Sequence, residues 1–264
     1  MVESIRRQTQ APTLFMLNVP DTFERTGEKY AVPAQLTNTV NVNRCGRDWG
    51  PATKFVPTIE FLKANNFEDN TRIIVVDDDW CYPQGMLASY LAVDSAVAWT
   101  LQGLAFDNAA ELPKKLENFR NYEQFSHSIA PFFTQHLLNL QHNVACTVLE
   151  AWSSFCVTLD MFKDDFMDYM RDAMTCDMTK YADDLTISNY LAMHGVERRV
   201  LHTKKCNVKQ LVPLMAGVTG DDALRNGGAL NETNLTRYVR LLHKWEETGE
   251  NYLINGRKPK CLQD

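Results

Sequence analysis

Arg72 to Pro83 reads RIIVVDDDWCYP, in which four branched aliphatic residues run straight into three consecutive aspartates. A run that apolar belongs in a core strand, so its carboxyl end delivers three negative charges to one place. If the strand's alternation continues, Asp77 and Asp79 share one side and Asp78 faces the other. Carboxylates at the carboxyl end of a strand lie where open α/β sheets bind ligands. Hard oxygen donors suit Mg²⁺ or Mn²⁺, which keep waters and bridge to phosphates. The same residues also read as a solvated acidic turn that merely closes a strand.

A second acid pair, Asp183-Asp184, opens an amphipathic stretch with apolar residues at 185, 187, 191 and 193 and Gly195 as its stop. Acids there stabilise a helix N-terminus by roughly 0.3–1 kcal/mol through the dipole; alternatively, one of them is a general base facing the sheet. The segment RCGRDWGPATK adds a cation, since Gly46, Gly50 and Pro51 make a tight turn and place Lys54 near a helix start. That is a position suited to phosphate, although the segment is not a Walker A sequence and no G-x-G-x-x-G occurs. His202, just past the strand VERRVLHT, is a lone histidine whose ordinary reading is structural.

The elements that must position these groups follow from pattern and punctuation. A helix ending before Pro12, a short buried strand over 13–20, a loop over 21–40 and a strand from Asn41 lead to a helix whose Pro57 sits in its first turn. After the strand Arg72–Val76, a helix over 84–93 precedes the strand AVAWT, 96–100. Residues 107–143 read as surface helix and loop, 143–162 as two short strands and a turn, and 163–178 as a helix. The segment 230–249 reads as a helix capped by Asn231 or Thr233 and stopped at Gly249. Strand, turn, helix and strand with short connections is an α/β arrangement.

The 264 residues are 45% hydrophobic with a net charge of −6, so no chain-wide basic field invites nucleic acid. Seven scattered cysteines without a C-x-x-C pair predict neither a structural zinc nor a disulfide framework, and fit reduced thiols in an intracellular, cytoplasmic setting. The first ten residues lack an apolar run, so no cleaved signal is expected. The most apolar span, 86–106, is interrupted by Asp94 and Gln102 and reads as core rather than a membrane span.

In order along the chain, SIRRQT…LFMLNVP, NRCGRDWGPATKFVP, RIIVVDDDWCYP, VLEAWSSFCV and YADDLTISNYLAMHG resemble small GT-A-type glycosyltransferases. The likeness is to family-2-like enzymes of large algal DNA viruses and their bacterial and algal relatives, and it covers about residues 4–204. It implies a GT-A-like, Rossmann-like fold with a mixed, mostly parallel sheet flanked by helices, and a partly helical extension over 205–264. That extension would cover the acceptor side, pack on the same domain, or lead to further domains of a longer polypeptide.

The activity implied is hexosyl or deoxyhexosyl transfer from a nucleotide-diphosphate sugar, most simply a UDP-sugar, to a hydroxyl of a glycan or glycoconjugate. By the resemblance, Asp77–Asp79 form a DxD-type element, with Asp77, Asp79 and His202 on Mn²⁺ or Mg²⁺. Asp48, Lys54, Asp77 and Asp78 would hold the nucleotide. Asp184 would be the base of an inverting reaction supported by Asp183, and Glu150 and Trp152 would face the acceptor. A virally encoded enzyme would work in the host cytoplasm.

The chain departs from that pattern in three places. It begins at the helix after the family's first strand, which implies a missing or rebuilt nucleoside pocket. EAWSSF carries Ala and Ser where relatives have glycines, and Tyr190 replaces an arginine. The missing strand motivates a competing reading, a catalytically degenerate domain that only binds a glycan or a partner. A nucleotidyltransferase is a third, against which stands the absence of a Gly-rich phosphate loop.

Overall fold

The computed structural model describes residues 1–24, 27–104, 144–204, 206–214, 234–250 and 252–255. The expected surface elements over 107–143 and the helix cap at Asn231 or Thr233 lie outside them. In chain order the elements are α1 (Val2–Arg6), β1 (Met16–Pro20), α2 (Ala34–Thr37), β2 (Asn41–Cys45), α3 (Val56–Ala64), β3 (Arg72–Val75), β4 (Trp80–Cys81), α4 (Met86–Leu91), β5 (Val97–Thr100) and β6 (Gly103–Leu104). There follow β7 (Val144–Ala145), β8 (Val148–Leu149), β9 (Phe155–Thr158), α5 (Phe166–Ala173), α6 (Asp177–Lys180), α7 (Asp183–Met193), β10 (Glu197–Val200), β11 (Val212–Pro213), α8 (Asn234–Thr248) and α9 (Tyr252–Asn255).

The fold is mixed α/β, as the alternation of strand and helix signals predicts. Five strands form the central sheet in the order β3-β9-β5-β10-β7. Only β5 and β10 run parallel; the other three pairings are antiparallel, so the sheet is mixed but not mostly parallel. The reason lies in β9, all four residues of which are buried. A short run buried on both faces reads the same whichever way it points, and β9 enters between β3 and β5 running against both.

The pleat sorts these strands into two cores. Ile73, Val75, Ala98, Phe155 and Val157 face α3, α5 and α7, where Phe55, Ile59, Phe166, Met170 and Ile187 pack with them. Ile74, Val76, Val97, Trp99 and Cys156 face Ile5 of α1 and Met86, Leu87 and Tyr90 of α4. Tyr190 stands at the heart of the first core, fully buried and stacked 6.2 Å from Phe162. Its hydroxyl donates to Asp165 at 2.8 Å and accepts from the Lys163 amide at 2.9 Å. The residue that replaces the expected arginine is therefore a core residue.

Ahead of the sheet, β1 and β2 form a parallel pair from Met16↔Asn41 to Pro20↔Cys45. β1 is the short strand expected over 13–20, and it follows α1 rather than preceding it. Asn18 on β1 and Asn43 on β2 tie the pair to the neighbouring turn and helix. Asn43 Nδ2 donates to Asn18 Oδ1 at 2.9 Å, and Asn18 Nδ2 donates to Thr58 Oγ1 at 2.8 Å and to the Lys54 carbonyl at 3.3 Å. The tail beyond residue 204 packs on the same body: β11 pairs with β4, and Asn189 of α7 accepts the amides of Tyr252 and Leu253. No helix among the described residues is long and apolar enough to cross a membrane. The six described cysteines are all free thiols.

Candidate active site

A cavity of about 560 Å³ opens beside the carboxyl end of β1. Its walls are β1, the following loop with Phe23 and Tyr30, the turn Asp48–Lys54, the acid run Asp77–Asp79, and Lys180-Tyr181 from the approach to α7. A volume of this size is within the range of small-molecule sites. Asp48, Lys54, Asp77, Asp78 and Asp79, named from the sequence, all line it.

The turn that carries Lys54 is built by Asp48. Its Oδ1 accepts from the Gly50 amide at 2.8 Å and from the Thr53 hydroxyl at 3.2 Å, while Oδ2 accepts from the Glu24 amide at 3.0 Å. Gly50 sits at φ +59°, the left-handed region, with the Lys180 carbonyl 3.3 Å from where a Cβ would stand. Asp48 thus spends its carboxylate on holding the turn and the loop after β1. Lys180 ion-pairs with Glu24 of that same loop.

Lys54 points inward to two acid groups from different elements. Its Nζ lies 2.9 Å from Asp77 Oδ1 and 3.1 Å from Asp183 Oδ2. Burial opposes its charge, but Asp183, Asp77 and Asp184 outweigh burial and hold the ammonium well above its ordinary pKa. Asp77 has the opposite balance: burial raises its pKa, and Lys54 offsets that only in part. One ammonium among at least three carboxylates leaves the pocket negative, a field that favours a further cation.

The strand ends at Val75, so alternation does not carry through the acid run, and all three aspartates reach the cavity. Tyr82 closes the loop they lie on. Its hydroxyl accepts from the Asp77 amide at 2.8 Å and donates to the Asp77 carbonyl at 3.2 Å. From the tail, the Leu214 amide donates to the Asp79 carbonyl at 2.8 Å.

Asp183 and Asp184 do not cap their helix; Ala182 is the N-cap residue and no side chain bonds there. Asp184 instead takes the Ala151 amide on Oδ1 at 2.9 Å and the Tyr238 hydroxyl on Oδ2 at 3.0 Å. Burial and then Asp183 push its pKa well above the ordinary carboxylate value, against Lys54 and the Ala151 amide. The Ala151 amide brings the turn Glu150–Ser153 against this acid. Burial also raises the Glu150 pKa, although Gln102 and Trp152 donate to its carboxylate. Glu150 Oε2 is buried with no hydrogen-bond partner among the described residues. Trp152 lies 4.9 Å from Trp80, ring centre to ring centre, which joins this turn to the acid run.

The structure therefore brings together Asp77, Lys54 and Asp183 by direct contact, with Asp184 and Glu150 beside them. His202 does not line the cavity, and no group of three or more His, Cys, Asp or Glu side chains converges on a metal position among the described residues. Of the residues expected on a metal, Asp77 and Asp79 line the cavity and would hold the ion. Carboxylate oxygens in a negative pocket fit a hard divalent ion, with phosphate oxygens and water completing its shell. Two participants went unread in the sequence. The Ala151 amide carries no side-chain signal, and Tyr238 sits in a helix whose pattern marks only its apolar face. No protein-family model matches the chain, and no curated protein matches it.

Proposed function

We propose that the protein transfers a sugar from a nucleotide-diphosphate donor, a UDP-sugar in the simplest case, to a hydroxyl of a glycan or glycoconjugate. One observation carries this reading: Lys54 joins the acid run on the cavity wall to the acid pair on α7 through contacts of 2.9 and 3.1 Å. Such a transfer needs a cation near the diphosphate to neutralise its charge and a base for the acceptor hydroxyl. Mn²⁺ or Mg²⁺ on Asp77 and Asp79 would act as Lewis acid toward the leaving diphosphate. Lys54 lies where its ammonium can share that charge. Asp184, on the far side of Lys54, accepts the proton of the attacking hydroxyl, with inversion as the outcome; general-base help of this kind is worth roughly 10²–10⁴-fold.

Glu150 and Trp152 are the residues we assign to the acceptor, the indole as a stacking surface for a sugar ring and the Glu150 carboxylate as a hydrogen-bond acceptor, in support of which their turn meets Asp184 through the Ala151 amide. Asp48 supports the pocket by shaping its turn. A binding-only domain, motivated by a strand missing ahead of the first helix, is the second reading. Turnover decides between the two: a panel of nucleotide sugars with Mn²⁺ and simple glycoside acceptors should give nucleoside diphosphate release in wild type and none in Asp184→Ala. Release unchanged in Asp184→Ala rejects the base assignment. No release with any donor rejects the reaction.

A further inference from the structure

Resting on this reading of the acid pair, we infer that Tyr238, on α8 of the tail, is a positioning residue for Asp184 as base. Two donors from separate elements grip the carboxylate: the Ala151 amide at 2.9 Å on Oδ1 and the Tyr238 hydroxyl at 3.0 Å on Oδ2. One hydrogen bond would leave the group free to turn about its Cβ–Cγ bond, whereas two fix its plane. A carboxylate offers about four lone-pair sites, so positions remain on it for the acceptor hydroxyl. Asp184 keeps partial exposure while Asp183 beside it is buried.

The charges around Asp184 make the phenol's contribution needed. Asp183 on its own helix and Glu150 in the facing turn both disfavour its ionised form, and Lys54 from the third side favours it. Tyr238 is the group from α8. Burial, followed by Asp184, Asp183 and Glu150, pushes the phenol's own pKa well up, so it stays a donor across the working pH range. A hydrogen bond donated to the charged form of a carboxylate favours that form. The tail, outside the resemblance, thus supplies part of the reaction's acid–base machinery.

Tyr238→Phe removes the hydroxyl and keeps the ring. The expected result is a fall in kcat of about 10- to 100-fold, the size of one hydrogen bond to a charged group. KM for the donor should be unchanged, and the acid limb of the kcat profile should move to higher pH. Replacing Tyr238 by 3-fluorotyrosine, whose more acidic phenol is a stronger donor, should move that limb the other way. Leu241→Ala is the control for a merely structural role, because Leu241 is buried on the same helix; it should lower Tm and leave the limb in place. An active wild type whose limb and kcat are the same in Tyr238→Phe overturns the inference, as does a kcat loss matched by Leu241→Ala without any limb shift. A wild type that turns over no nucleotide sugar ends the reaction and the inference together.

Discussion

Lys54 is the residue on which the two acid groups depend. Its side chain is 18% exposed, against 27% for Asp77 and 11% for Asp183. Removing one partner of a buried pair leaves the other charge uncompensated, at a cost of about 3 kcal/mol or more. Lys54→Met should therefore lose about 3 kcal/mol in urea unfolding at pH 7, and less near pH 4 as Asp77 protonates. Asp184 should act in the opposite sense. Its folded pKa is raised, so the native state holds a proton that the unfolded chain has released, and stability falls as pH rises from the unfolded value through the folded one. Asp184→Asn removes that fall, so the Tm difference between variant and wild type should move in the variant's favour from pH 4 to pH 7; a move the other way would contradict the raised pKa. At this scale the sequence was informative where chemistry is concentrated in side chains. DDD and Lys54 line one cavity, as their residue types suggested, but the alternation expected to separate Asp78 from Asp77 and Asp79 does not hold. Asp48 was assigned to the nucleotide by the resemblance, but the amides it accepts from belong to backbone turns that no residue type advertises.

Among the elements, the turn between β8 and β9 stores strain. Ser154 adopts φ 102°, ψ 153°, a region open almost only to glycine, at a cost of about 1–3 kcal/mol. The surrounding bonds hold it there: Ser154 Oγ lies 2.8 Å from the Tyr90 hydroxyl, and its carbonyl accepts from the Thr100 hydroxyl at 2.9 Å. Ser154→Gly relieves the backbone, and the Thr100 and Tyr90 hydroxyls can still donate to the carbonyl. Ser154→Ala keeps the strain and loses the Oγ contact. Denaturant unfolding should show the glycine variant more stable than wild type by about 1 kcal/mol and the alanine variant less stable by a similar amount; the reverse order would mean that the serine side chain outweighs the strain. EAWSSF was flagged in the sequence because glycine was expected there, and the conformation that demands glycine is indeed present. The end of α7 was legible because Gly195, at φ 71°, stops it, whereas the single helix expected over 163–178 is split into α5 and α6. Strand directions were not legible, since a four-residue apolar run such as FCVT specifies burial and nothing about its neighbours.

Across the whole molecule, the tail and the body share one packing unit. Asn189 is 1% exposed and binds α9 and its approach three ways, donating to the Glu250 carbonyl at 3.1 Å and accepting the Tyr252 and Leu253 amides at 3.0 and 3.3 Å. Asn189→Leu strands those backbone groups and should cost about 3 kcal/mol. It should also speed proteolysis near residue 250; cleavage at the wild-type rate would show that the tail is held elsewhere. None of this was visible in the sequence, because an asparagine in an apolar helix reads as a surface polar residue until its partners sixty residues away are known. The proposed transfer requires Asp77–Asp79 and Lys54 to form a donor site that works with a divalent ion. Its most direct test is calorimetric or thermal-shift titration with UDP-, GDP- and dTDP-sugars, with and without Mn²⁺, on wild type and Asp79→Ala. We predict stabilisation by one donor class that requires Mn²⁺ and disappears in Asp79→Ala. Equal stabilisation without metal, or in the variant, would contradict it.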